Sequence, residues 1–317
     1  MSAKFVADVG GTNIRIGQTE GGELTYIKKF LCADFDTIAD ALNAYFSAFP
    51  DMHFSAGCIA IACPVNGDWI KMTNHTWAFS ANELQQTLSL EWLGVINDFT
   101  SVAHSIPALS EHQKVKIGGG EPSEHGNIAV FGPGTGLGVD HLTWTEAGWK
   151  ALDGEGGHVD FAPMDEFDFA IWQHIKALHG HVSAEEVLSG RGIVHIYQGI
   201  AALLDLEPEL NEPASITQKA IEGSCHLCAK TLQQFCKIMG SFGGNLALNL
   251  ATTGGVYIGG GIASRFIEFI QSSDFRQRFE DKGRFADYVQ RIPTYIITEP
   301  DHGLLGAAAY LEQNYAG

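Results

Sequence analysis

Asn97-Asp98 closes an apolar run and opens a helical one, so a carboxamide and a carboxylate stand together at the carboxyl end of a strand. Open α/β sheets collect ligands at that place. A carboxylate there can serve as a general base. It can also cap the helix through first-turn N–H groups, the commoner role for an isolated Asp. Gly154-Glu155-Gly156-Gly157-His158 sets a carboxylate and an imidazole among glycines. Such a loop suits a polyhydroxylated ligand that needs donors and acceptors with little bulk nearby; a turn with solvated side chains is the plainer alternative. Glu185 falls in the first turn of a helix expected after Ser183, where it either complements the helix dipole or points at a hydroxyl of the ligand.

Three glycine clusters add a second kind of chemistry. Asp8-Val9-Gly10-Gly11-Thr12-Asn13 lies between two strands. Glycine there allows positive φ and lets backbone N–H groups approach an oxygen-rich anion. Thr12 and Asn13 add side-chain donors, and Asp8 can hold a hydrated Mg²⁺, which favours one or two carboxylates plus phosphate oxygens. A plain Gly-Gly hairpin explains the turn equally well. Gly132-Pro133-Gly134-Thr135-Gly136-Leu137-Gly138 is richer in glycine than a hairpin needs and aligns with the first turn, with Phe131 in place of Asp8. Both turns gripping phosphates while one handles the metal would account for that asymmetry. Gly254-Gly255 and Gly259-Gly260-Gly261 flank an apolar strand, consistent with nucleoside contact or with tight helix–strand packing. No Walker A spacing occurs, and the Rossmann fingerprint fails because the first turn leads into a strand.

The elements that must position these residues follow from periodicity. Strands are expected at 5–9, 14–18, 24–30, 58–62 and 94–98. Helices are expected over the face Ile38, Leu42, Tyr45, Phe46 and Phe49, with Asp36 as N-cap, and after the capping-box pair Ser80 and Glu83. A further helix should run from Phe99 to about Ile106. From Asn127 the order repeats: strand, glycine turn, strand. Helices then span 165–179, 184–189 (capped by Ser183), 192–205 and 225–250, followed by strands at 255–258 and 295–297 and a helix at 304–311. Each half opening on a strand, a Gly/Thr turn and a second strand implies an imperfect duplication. The boundary falls in the polar stretch Glu111 to Gly126, giving domains of 1–110 plus 299–317 and of 111–298.

Length and composition set the limits. A chain of 317 residues suggests two domains. With 45% hydrophobic and 18% charged residues it is globular rather than disordered. A net charge of −18 without a Lys/Arg cluster argues against nucleic acid or an anionic bilayer as partner. Cys32, Cys58, Cys63, Cys225, Cys228 and Cys236 suggest no disulfide framework, and a reducing cytoplasm is the expected setting. Cys225-x-x-Cys228 lies in a helical pattern and reads as packing. His174, His179, His181 and His195 lack zinc-protease spacing and read as surface residues.

The long blocks are more specific than any glycine turn. Ala7 to Asn13, Ile59-Ala60-Ile61-Ala62-Cys63-Pro64, Met72-Thr73-Asn74-His75-Thr76-Trp77, Ile96 to Phe99, Gly134 to Gly138, Gly154 to Phe161, Ser183-Ala184-Glu185 and Gly243 to Asn249 closely resemble bacterial glucokinases of the Glk type over essentially the whole chain. The resemblance implies an α/β, two-domain actin-like ATPase (ribonuclease H-like) fold with a cleft between domains, the last helix returning to the first domain. It implies Mg²⁺·ATP phosphorylation of the glucose 6-hydroxyl, in the cytoplasm, by a homodimer. By family motif Asp98 is the base, and Asn97, Asp98, Glu155, His158 and Glu185 bind the sugar. Ala7, Asp8, Val9, Gly10, Gly11, Thr12 and Asn13, with Gly132, Gly134, Thr135, Gly136, Gly138 and Gly260, serve the nucleotide, and Asp8 reaches the metal through water. Pro133 departs from the small residue expected in the second turn and removes one phosphate donor. The cysteine-rich zinc motif of the related ROK family is absent from the sequence.

Overall fold

The computed structural model describes residues 2–315. Two compact units emerge. The first runs to Ser110, takes up Thr145–Ala151 and resumes at Glu299; the second is Glu111–Trp144 and Leu152–Thr298.

The first unit is built on strands β1 (Ser2–Val9), β2 (Asn13–Glu20), β3 (Glu23–Leu31) and β4 (His53–Ile61). A small ribbon of β5 (Trp69–Lys71) and β6 (Ala78–Ser80) precedes β7 (Trp92–Asn97). The main sheet has the order β3-β2-β1-β4-β7, with β1 antiparallel to β2 and parallel to β4, and β4 parallel to β7. Strand alternation sends Phe5, Ala7 and Val9 into one apolar cluster with Ile38, Leu42 and Tyr45 of the helix Ile38–Phe46. Val6 points the other way, into a cluster with Leu304, Ala307 and Leu311 of the helix His302–Asn314. Asp8 follows Val6 on that second face, so a period of two delivers its carboxylate to the start of this helix. Gly303 makes room: a Cβ there would lie 2.9 Å from Asp8 Oδ2.

The second unit repeats the plan. Strands β8 (Lys114–Gly118), β9 (Ile128–Pro133), β10 (Leu137–Thr145), β12 (Gly255–Ile258) and β13 (Thr294–Ile297) form it, while β11 (Gly148–Ala151) falls in the first unit. Again a hairpin, β9 with β10, is followed by two parallel strands, β12 on β9 and β13 on β12. The duplication inferred from two short turns therefore extends to topology. The core gathers Phe131, Val256 and Ile258 with Phe235, Met239 and Phe242 of the long helix His226–Asn249.

Several local expectations shift. Thr37, not Asp36, caps the first helix, in a reciprocal box with Asp40, because a short hydroxyl at N-cap reaches the Asp40 N–H while Asp40 returns the bond. No helix follows Ser183: Ala184–Glu186 is one 3₁₀ turn without a side-chain cap. The helix Gly190–Leu203 starts instead at Ser189, whose hydroxyl accepts from Gly192 N–H. Cys225 heads the long helix as its N-cap rather than lying inside it. His195 is not on the surface; its side chain is 12% exposed and burial lowers its pKa. All six cysteines are free, and among the described residues no helix is long and apolar enough to cross a membrane.

Candidate active site

Asn97 decides what Asp98 is free to do. Its Oδ1 accepts from Phe99 N–H at 2.8 Å and Thr100 N–H at 3.4 Å, and its Nδ2 donates to the Cys63 carbonyl at 3.1 Å. Asn97 is thus the N-cap of the helix Asp98–Ser105, and it locks the helix start to the chain leaving β4. Asp98 accepts from Phe99 N–H at 3.0 Å through Oδ1, and Asn97 adds a side-chain hydrogen bond to its carboxylate. Burial and then the negative charge of Asp8 push the Asp98 pKa up to about 6, against the N–H groups that lower it. A carboxylate poised there can take a proton near neutrality, which a merely capping Asp would not.

The first glycine turn closes through Gly10 N–H donating to the Asn13 carbonyl at 2.9 Å. Neither Gly10 nor Gly11 has a positive φ, so the left-handed explanation for them falls. Gly11 is needed because Asn74 packs on it; a Cβ would lie 3.1 Å from that of Asn74. Gly10 is different: its Cβ would meet nothing closer than the Asn13 carbonyl at 3.6 Å. The protein's own packing does not require glycine there, and the bare backbone fits a cradle for an outside group. Arg15 is the residue sequence reasoning missed. It faces Asp8 in the hairpin register, binds Asp8 Oδ2 at 2.5 Å and reaches Asp301 at 2.8 Å. Knowing the register would have revealed it, since opposite charges face each other across paired strands.

The second unit assembles the remaining residues. Gly132, Pro133, Leu137 and Gly138 are paired strand residues, so the turn proper is only Gly134-Thr135-Gly136, closed by Gly134 N–H donating to the Gly136 carbonyl at 2.8 Å. Gly134 resembles Gly10, with nothing within 3.9 Å of a hypothetical Cβ and no positive φ. Gly260 has φ +78 and backs onto the Pro133 carbonyl, so the fold itself requires glycine there. Glu185 points inward: Oε2 accepts from Leu137 N–H at 2.9 Å and Oε1 pairs with Arg191 at 2.6 Å. Gly156 and Gly157 lay the next loop flat on β10, because side chains would run into Val139 and the Leu137 carbonyl. Glu155 and His158 then stand exposed on either side of them. Backbone bonds from Ala184 to Val159 and from Phe161 to Val182 tie that loop to the Glu185 turn.

The structure thus brings Asp8, Gly10 to Asn13, Asn97 and Asp98 together in one unit. It gathers Gly132 to Gly138, Glu155, His158, Glu185 and Gly260 in the other. A family profile described as glucokinase matches residues 5–314. The glucokinase of Photorhabdus laumondii is 50% identical over 311 residues, covering 98% of this chain and 97% of that protein.

The chain belongs to the glucokinase family.

A crystal structure of glucokinase from an Antarctic psychrotroph superposes with a TM-score of 0.92 at 36% identity, covering 99% of this chain and all of the other. A ROK family glucokinase from Streptomyces griseus, solved with glucose and AMPPNP, gives 0.59 at 19% identity over 98% of this chain and 100% of that one, a likeness of fold alone. The α/β, two-domain actin-like ATPase class expected from the sequence therefore holds. Glucokinases phosphorylate glucose at the expense of ATP, so the chain is a phosphotransferase.

Proposed function

We propose that Asp98 is the general base in the family reaction, ATP-dependent phosphorylation of D-glucose at the 6-hydroxyl. The proton of that hydroxyl passes to the Asp98 carboxylate as the oxygen bonds to the γ-phosphorus. The bond from phosphorus to the bridging oxygen breaks, and ADP leaves beside glucose 6-phosphate. The carrying observation is the Asp98 pKa raised to about 6 while Asn97 does the capping. Asn97, Glu155, His158 and Glu185 hold the sugar hydroxyls. The two glycine turns, Ala7 to Asn13 and Gly132 to Gly138, with Gly260, serve the nucleotide. Gly10 and Gly134 support this, being bare without an internal packing reason.

Asp8 fits a hydrated dication through Oδ1, since Arg15 engages Oδ2 and leaves Oδ1 as an acceptor. Mg²⁺, when bound, neutralises phosphate charge, as phosphoryl transfer requires. A cytoplasmic homodimer acting at the first step of glycolysis is the setting the family likeness supports. Light scattering would report two chains per particle if the dimer is right. The deciding experiment is a coupled ADP-release assay with ATP, Mg²⁺ and a panel of hexoses. Turnover greatest with glucose supports the reading. ADP release greater with mannose, fructose or glucosamine reassigns the substrate, and ATP binding without sugar-dependent turnover refutes it.

A further inference from the structure

Three groups outside the candidate active site converge in the second unit. His179 ends the helix Glu166–His179, Glu186 ends the 3₁₀ turn and His195 lies in the helix Gly190–Leu203. One ligand atom from each lies within 4.8 Å of the others. The imidazole rings of His179 and His195 are 5.3 Å apart at their centroids. His195 Nδ1 sits 2.9 Å from the Glu186 carbonyl and 3.4 Å from Glu186 Oε2.

The Glu186 carboxylate is divided. Oε1 is bound by Arg191 at 2.9 Å, whereas Oε2 is buried with no hydrogen bond, its polar neighbour being His195 Nδ1 at 3.4 Å. A buried, unsatisfied oxygen is costly and calls for an explanation. A cation between the three side chains supplies one.

We propose that His179, Glu186 and His195 form a binding site for a borderline-soft divalent metal, of which Zn²⁺ is the type. Two imidazoles and one carboxylate suit Zn²⁺, whereas Mg²⁺ and Ca²⁺ prefer oxygen ligands throughout. Nδ1–H of His195 donates to the Glu186 carbonyl, so Nε2 keeps the lone pair a metal needs; Nδ1 is the nitrogen facing the Glu186 carboxylate, and the imidazole must tilt to bring Nε2 to the ion. Zn–N and Zn–O bonds of about 2.0–2.2 Å place tetrahedral ligands roughly 3.3–3.5 Å apart. The groups must therefore draw in by a little over about 1 Å, and His179, exposed at a helix end, has the freedom to do so. Three protein ligands leave a fourth position for water.

The site adjoins residues already placed in sugar binding. Arg191 joins Glu185 Oε1 to Glu186 Oε1, so metal on Glu186 would stiffen the turn that carries Glu185. The metal proposal does not depend on that role of Glu185.

Titration calorimetry of the chelator-treated full chain with ZnCl₂, in excess Mg²⁺, tests it without measuring turnover. The expected result is a one-to-one site that Mg²⁺ does not block. His179→Gln, at an exposed position, should weaken it roughly tenfold or more, and His195→Gln should do likewise with an unchanged circular-dichroism spectrum. Absence of Zn²⁺ binding, or binding unaltered by His179→Gln, overturns the proposal; the second result would assign the metal elsewhere, for instance to Cys225 and Cys228.

Discussion

Arg15 stands opposite Asp8 in the first hairpin and holds its carboxylate, while in the second hairpin Val139 stands opposite Phe131. The duplicated backbone thus carries a charged pair in one copy and a buried apolar pair in the other. The charged pair lies close enough to Asp98 for Asp8 to raise its pKa. Its consequence is a signed pH effect. A base must be deprotonated to act, so kcat/KM should fall as pH drops below about 6. Asp8→Asn removes a negative charge that disfavours ionisation of Asp98, and should move the acid limb to lower pH whatever it does to the plateau. Arg15→Met leaves that charge uncompensated and should move the limb upward. Rate profiles from pH 4 to 9 decide the matter; coincident limbs in all three proteins would show that Asp8 does not act on Asp98.

Asp98→Asn should lower kcat by about 10²-fold or more, the scale of a lost general base. The amide keeps an oxygen for the Phe99 N–H, so the helix start should survive. Stability should move the opposite way. A carboxyl whose pKa is raised by folding loses stability as pH climbs from the ordinary Asp range through its folded value. The Asn variant escapes that loss, so its Tm at neutral pH should exceed the wild type's. A lower Tm there would contradict the raised pKa.

Gly306→Ala tests how the base is held. A Cβ at 306 would run into the carbonyl of Ser101, one turn along the helix from Asp98, and Ser101 Oγ already donates to the Gly303 carbonyl at 2.6 Å. Overpacking of this kind costs about 1–3 kcal/mol, occasionally more. Displacement of the helix start should also lower kcat by about tenfold or more, since misplacement of reacting groups by about 1 Å is expensive. Denaturant unfolding and steady-state kinetics on one preparation would show both effects or neither.

Arg278→Met should be severe although it lies apart from the chemistry. Arg278 binds Asp165 at 2.8 Å and the fully buried Asp168 at 2.6 Å, and Gln234 donates to the other Asp168 oxygen at 2.6 Å. Removing the guanidinium strands a buried charge, worth about 3–5 kcal/mol. Adding Asp168→Asn should recover much of that, because the stranded charge goes with it. A double variant no more stable than the single one would place the cost in lost packing by Arg278.

The sequence made the chemistry-bearing elements visible where signals were local and redundant. Both hairpins, the strand running into the Asp98 helix and the Gly-Glu-Gly-Gly-His loop were readable because glycine, apolar alternation and helical spacing agreed at each. Neighbouring candidates were harder to separate. Asp36 and Thr37 are both good caps, and only Asp40 three residues after Thr37 breaks the tie. Ser183 and Ser189 compete in the same way, and Gly190 and Gly192 concealed that the later serine starts the helix. Arg15 and His195 depended on register and on which helix face is covered, neither of which a linear reading supplies. Positive φ was the wrong reason for Gly10 and Gly11: Gly11 makes room for Asn74, and Gly10 meets no close side chain of the protein's own.

The helix His302–Asn314 covers a face of the sheet whose strands are synthesised at the opposite end of the chain. Val6, Cys58, Ala60 and Ile96 find their apolar partners in Leu304, Ala307, Ala308 and Leu311. On the ribosome, roughly the first hundred residues must therefore wait with one side uncovered while everything between is translated, the condition under which nascent chains become clients of chaperones. The intervening unit encloses its own core and can finish first, which inverts the usual order in which the amino-terminal portion matures ahead of the rest.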